Sequence, residues 1–160
     1  MNDALLQWLS DTFISNAMRN IFWLWPAMEN LHFLGLSVMF GALLAIDLRV
    51  LGVAPAIPMR GAMKLIPLVF IAFAVNLLTG FSFVAADPYR YFFNLAFQWK
   101  MGLILLAGAN ALWFWFGEHA RLVQLAEGEQ ADFPAKVIAA ISLVVWIAVI
   151  VLGRLIPYLE

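Results

Sequence analysis

Five ionisable residues are set into or against long apolar runs. Glu29 and His32 stand at one end of the stretch 25–52, Asp47 and Arg49 at the other, and Lys100 lies in a later run. Charged groups at membrane depth are costly and are functional candidates by default. Glu29 and His32 are three residues apart, neighbours on one helix face. Asp47 follows Glu29 by eighteen residues, five helical turns, so the two carboxylates share a face near opposite ends. Lys100 falls roughly seven to nine residues into its run, at a depth of roughly 10–14 Å, measured from the same end as Glu29 and His32. This spacing predicts a buried network of Glu29, His32 and Lys100, with a Glu29–Lys100 ion pair beside the imidazole. In the competing reading Lys100 snorkels to the interface and Glu29 is a solvated first-turn acid favoured by the helix dipole. Asp47 and Arg49 form a charge pair at the far membrane end. They are either interface charges with separate partners or a cap that bonds the neighbouring loops.

His32 is the residue to weigh as a metal or haem ligand, since imidazole is a common one. The second of the two histidines, His119, follows the third apolar run and falls on the opposite side of the membrane. A haem b on His32 therefore needs a second His32 from a dimer, or a methionine such as Met28. Glu29 and His32 also spell half of a di-iron motif, but that motif needs a second such helix and two further carboxylates. The plainer expectation is a histidine hydrogen-bonded within the bundle. The absence of cysteine removes disulfides, thiolate metal sites and thiol catalysis. No nucleophile–base pair, phosphate loop or dinucleotide fingerprint is present, which argues against an enzyme. Asn76, Thr79 and Asn110 lie near mid-membrane, where such groups bond between helices.

The elements that must hold these groups follow from composition. The chain has 160 residues, is 65% hydrophobic and 12% charged, and has a mean hydropathy of +0.92. A soluble domain is near half apolar and a quarter charged, so the solvent for this chain is a lipid bilayer. A net charge of -1 argues against a nucleic-acid partner. The pattern predicts an all-α single membrane domain over residues 1–160. Residues 1–24 form an amphipathic interfacial helix, not a signal peptide. Four spans follow, at about 26–52, 63–86, 91–117 and 136–157, each long enough to cross a bilayer. Pro26 opens the first, Gly52 with Pro55 stops it, and Asp87-Pro88 breaks the second. Four spans place both termini on one side. Arg49, Arg60, Lys64, Arg121 and Lys136 fall on the other side, against Arg19, Arg90, Lys100 and Arg154 on the side of the termini. The positive-inside rule then puts the termini in the periplasm.

Three pieces of this sequence also carry a resemblance. They are Trp23, Pro26, Glu29, His32, Leu34, Gly35 and Leu36; Asp47, Leu48, Arg49, Leu51 and Gly52; and Asn94, Ala96, Phe97, Lys100, Ala107 and Asn110. Together they resemble an uncharacterised family of bacterial four-helix membrane proteins, more distantly similar to copper-resistance protein D, over residues 20–117. The resemblance implies the fold and a bacterial inner membrane, and no activity. The first functional expectation is a non-enzymatic accessory subunit that docks to, anchors or stabilises a larger membrane complex, redox complexes included, with other membrane subunits or a second copy as its partners. Two alternatives are a haem- or quinone-linked electron carrier using His32, and a permease for copper or a small solute.

Overall fold

The structure is a computed structural model that describes residues 3–126 and 128–159. It is all α, with no strand among the described residues. Two short helices, α1 (Asp3–Ser10) and α2 (Phe13–Asn20), precede the first long one, α3 (Leu24–Leu51). A short α4 (Met59–Met63) leads into α5 (Ile66–Ala86), and α6 (Pro88–Phe92) into α7 (Leu95–Trp113). A π-helical turn at Phe114–Glu118 continues α7 into α8 (His119–Gln124), and α9 (Phe133–Leu155) ends in a 3₁₀ turn at Ile156–Tyr158. Four of these segments, Leu24–Leu51, Met59–Ala86, Leu95–Gln124 and Phe133–Tyr158, are long and apolar enough to cross a membrane. They alternate in direction. The end where α3 and α7 begin is called end A, the opposite one end B.

Local chemistry sets the boundaries. Gly52 adopts φ +84°, a left-handed conformation that only glycine takes without strain, and its N–H donates to the Arg49 carbonyl at 3.1 Å to close α3. Pro67, Pro88 and Pro134 sit in first turns, where the missing N–H costs nothing. Asn94 caps α7 by accepting from Phe97 N at 3.1 Å.

The N-terminal segment is two helices, not the single one expected over 1–24; Met1 and Asn2 lie outside the described residues. Thr12 makes the break: its hydroxyl donates to Leu9 O at 2.8 Å and accepts from Ser15 N at 3.3 Å, ending one helix and capping the next. Leu6, Leu9 and Met18 are buried, and both helices pack on α5. The third span also begins later than expected. Residues 88–92 form a separate helix, and Asn94 sets the start of α7, so Lys100 is its sixth residue.

Side by side, the long helices run in the order α5, α3, α9, α7. The α3 face is Gly35, Met39, Ala42, Ile46 and Val50; the α9 face is Ala135, Ala139, Ser142, Val145 and Val149. Spacings of three and four keep each set on one stripe, and the small residues let the backbones approach. Helices α5 and α7 are joined by a short connection yet have no comparable packing with each other. The bundle is thus closed on three sides and open on the fourth. Phe73 of α5 reaches Trp146 of α9 across the interior, edge to face at 6.1 Å. The largest apolar core lies at end B: Ile46, Val50, Met59, Ala62, Met63, Leu122, Ala131, Ala135 and Ala139.

Candidate functional site

His32 is positioned by α3 and oriented by α5. Its Nδ1 lies 2.7 Å from Thr79 Oγ1. The Thr79 hydroxyl proton is directed at the Val75 carbonyl, 2.8 Å away, with the Asn76 carbonyl at 3.2 Å. A hydroxyl has one proton to give, so Nδ1 is the donor in the 2.7 Å bond. The neutral ring is therefore the Nδ1–H tautomer, and Nε2 presents its lone pair. Phe83 meets the ring edge to face at 5.8 Å and also touches Trp25 at 5.3 Å. Gly80 lies beside the ring, where a Cβ would stand in ordinary contact with His32 Cε1 at 3.7 Å.

Lys100 reaches from α7 across α9. Its Nζ lies 3.2 Å from where a Cβ on Gly153 would stand, so the ammonium packs closely over this glycine. The ammonium lies within Coulombic reach of His32. Among the described residues it has no hydrogen bond and no ion pair. The expected Glu29–Lys100 ion pair is not formed. Glu29 is exposed and accepts from Trp25 Nε1 at 3.1 Å, one turn back on its own helix. The order of the helices is the physical reason: α9 stands between α7 and α3, and Lys100, about 8 Å into α7 instead of 10–14 Å, leans on α9 at Gly153. Of the expected network, His32 and Lys100 share a layer and Glu29 belongs to the rim above it.

Tyr91, on the connection between α5 and α7, completes that rim. Burial raises its phenol above the usual range; Arg90 opposes this, and Asp87 and Glu29 reinforce it.

At end B, Asp47 and Arg49 are both buried, and they do not pair with each other. Two residues apart on a helix, they point in different directions. Asp47 faces Ser142 of α9, and its Oδ2 has no partner. Arg49 turns to the loops, donating from Nε to Ile57 O at 2.6 Å and from a terminal nitrogen to Glu129 O at 3.3 Å. It is a cap that holds both end-B loops against α3. Glu29 and Asp47 stand five turns apart on the unbroken α3, Glu29 exposed at the rim and Asp47 buried against α9.

The two mid-membrane asparagines differ. Asn110 donates to Ile138 O of α9 at 3.1 Å, an interhelical bond. Asn76 donates to Ala72 O on its own helix at 3.0 Å, because its amide is confined against Gly35 of α3. The Oδ1 atoms of both are buried without a partner.

The residues present do not fit a haem or a metal ion within one chain. Among the described residues no group of three His, Asp or Glu side chains converges. His119 is at end B, stacked on Trp115 at 4.5 Å and 18°. That stack depends on the π turn, which also buries Glu118 beside Arg121. Several residues with structural roles carried weak sequence signals. Thr79 was readable as a mid-membrane group that bonds between helices but not as the partner of His32, and Ser142 carried no signal of its place beside Asp47. Asn94, which also donates to Ile156 O at 2.9 Å and Leu159 O at 3.2 Å, was readable as a helix cap but not as the tie to the end of α9.

No family model, no curated protein and no solved structure matches the chain.

Proposed function

We propose that the protein is a non-enzymatic accessory subunit that anchors or stabilises a larger complex in the bacterial inner membrane, with both termini periplasmic. One observation carries this reading. Consecutive helices joined by a short connection normally pack as antiparallel neighbours, and α5 and α7 do not. The open side is the natural seat for helices of another chain. In a bilayer, burial of apolar surface gives no net drive, so association rests on close packing and on polar contacts between helices. The half-buried, unpaired Lys100 beside that side is such a contact.

The test is extraction in mild detergent, with a photo-crosslinking residue at exposed Leu77 of α5 or exposed Leu105 of α7. The expected result is migration in a larger complex on a native gel and crosslinks from both positions to another polypeptide. A stable lone monomer without crosslinks overturns the reading, and crosslinks only to a second copy replace it with a homo-oligomer.

A further inference from the structure

The His32–Lys100 layer holds two polar atoms of opposite hydrogen-bonding sense that no group among the described residues satisfies. Nε2 of the Nδ1–H imidazole presents a lone pair, and Lys100 Nζ presents only donors. Both side chains are partly exposed, so the layer is reachable. The route is sideways from the bilayer, between the unpaired α5 and α7. Phe73 lies six residues below Thr79 on α5, and Trp146 seven below Gly153 on α9. Their edge-to-face contact is therefore an aromatic floor about 9–10 Å beneath the polar layer. Phe83 and Trp25 stand beside the imidazole on the end-A side.

A ligand for this layer has to be lipid-soluble to enter between two helices. Entry through the hydrocarbon favours an uncharged molecule, which dissolves there while an ion does not. The ligand also has to offer one donor and one acceptor on a flat frame that aromatic rings accept. We infer that the layer between α5 and α7 at end A binds the headgroup of a membrane-dissolved quinol. One phenolic O–H donates to His32 Nε2, and the opposite hydroxyl oxygen accepts from Lys100 Nζ. The oxidised quinone has two carbonyls and no donor. It satisfies Lys100 but sets a lone pair against Nε2. A lipid phosphate has the same defect. The inference concerns binding and does not depend on a partner, so it is tested on the chain alone and stands or falls separately from the docking reading.

The native chain, Lys100→Met and His32→Leu are placed in phosphatidylcholine nanodiscs and titrated anaerobically with decyl-ubiquinol and decyl-ubiquinone, reading tryptophan quenching. The native chain is expected to saturate, with the quinol bound about tenfold tighter, because about one hydrogen bond separates the two forms. Lys100→Met weakens both forms by a similar factor and keeps the preference. His32→Leu weakens the quinol selectively and erases the preference. If His32→Leu loses helix content by circular dichroism, Thr79→Val replaces it; it keeps the imidazole but frees the tautomer, and the preference must shrink. Equal affinity for the two forms in the native chain, non-saturable partitioning, or a preference that survives in His32→Leu overturns the site. Saturable phosphatidylglycerol binding that depends on Lys100, with no quinol binding, also overturns it and assigns the ammonium to lipid phosphate.

Discussion

The two ends of the bundle are built differently. At end B an apolar core is enclosed by cationic side chains bonded to loop atoms. Arg49 holds Ile57 and Glu129, Arg60 donates to Val123 O at 3.3 Å, Arg121 pairs with Asp132 and Glu118, and Lys136 donates to Gln130 Oε1 at 3.0 Å. At end A the cation inside the bundle, Lys100, is bonded to nothing among the described residues, and the imidazole uses one nitrogen of two. The difference teaches where stability and contact are divided. Positive charge is spent at end B on closing loops against helices, while at end A the Lys100 ammonium is left available on the side where two helices fail to meet.

The contrast can be broken first at Arg49. Replacing it by Met strips charge-assisted bonds from two part-buried loop carbonyls, and hydrogen bonds to charged groups contribute about 1.5–3 kcal/mol each. We expect a loss of about 3 kcal/mol or more in mixed-micelle unfolding. Asp47→Leu, two residues away, is expected to stay within about 1 kcal/mol of the native chain or to exceed it. It removes a buried carboxyl that has an unpartnered oxygen. Equal losses for the two would mean that end B is not organised as described.

Asn94→Ala comes next. It removes the cap of α7 and the tie to Ile156 and Leu159, with an expected cost of about 1–2 kcal/mol. Amide exchange should rise in residues 95–98 and at the end of α9, while end B is unchanged. Thr79→Val is smaller, about 0.5–1 kcal/mol, as expected for a hydrogen bond between membrane helices. Its sharper readout is the ¹⁵N shift of the imidazole, which should move from a single tautomer towards a mixture; an unchanged spectrum would show that Thr79 does not fix the ring.

The smallest effect is electrostatic. Tyr91 titrates above its ordinary value of 10.0 because it is buried. The folded state thus favours the neutral phenol. That contribution is complete below pH 10 and is lost as pH rises through the folded pKa. Tyrosinate absorbance should lag in the native chain, and the lag should disappear in Tyr91→Phe.

Much of the architecture was legible in the sequence. Apolar runs of membrane length, first-turn prolines and Gly52 specify where helices cross and stop, because each acts through its own local backbone chemistry. The α3 stop at Gly52 and the α5 break at Asp87-Pro88 fall where those residues stand. Arg49 was readable as a buried-end cation with two possible roles, but which loops it holds was not. The Asn94 cap and the Thr12 break were weaker signals of the same local kind; the first moves Lys100 by about two to four residues of depth, and the second divides the N-terminal helix in two.

What the sequence by itself determined is therefore the solvent, the helices and the small set of polar residues that have to be accommodated among them. Only the tertiary structure decided their pairing. Helical periodicity gives the face of a residue on its own helix but not which neighbour that face meets. The Lys100 ammonium rests on Gly153 and not on Glu29 because α9 stands between α7 and α3. The imidazole tautomer is set by Thr79, forty-seven residues away in sequence and 2.7 Å away in space. The open α5–α7 side has no local signal at all, since it is the absence of a contact between two helices whose sequences each look ready to make one.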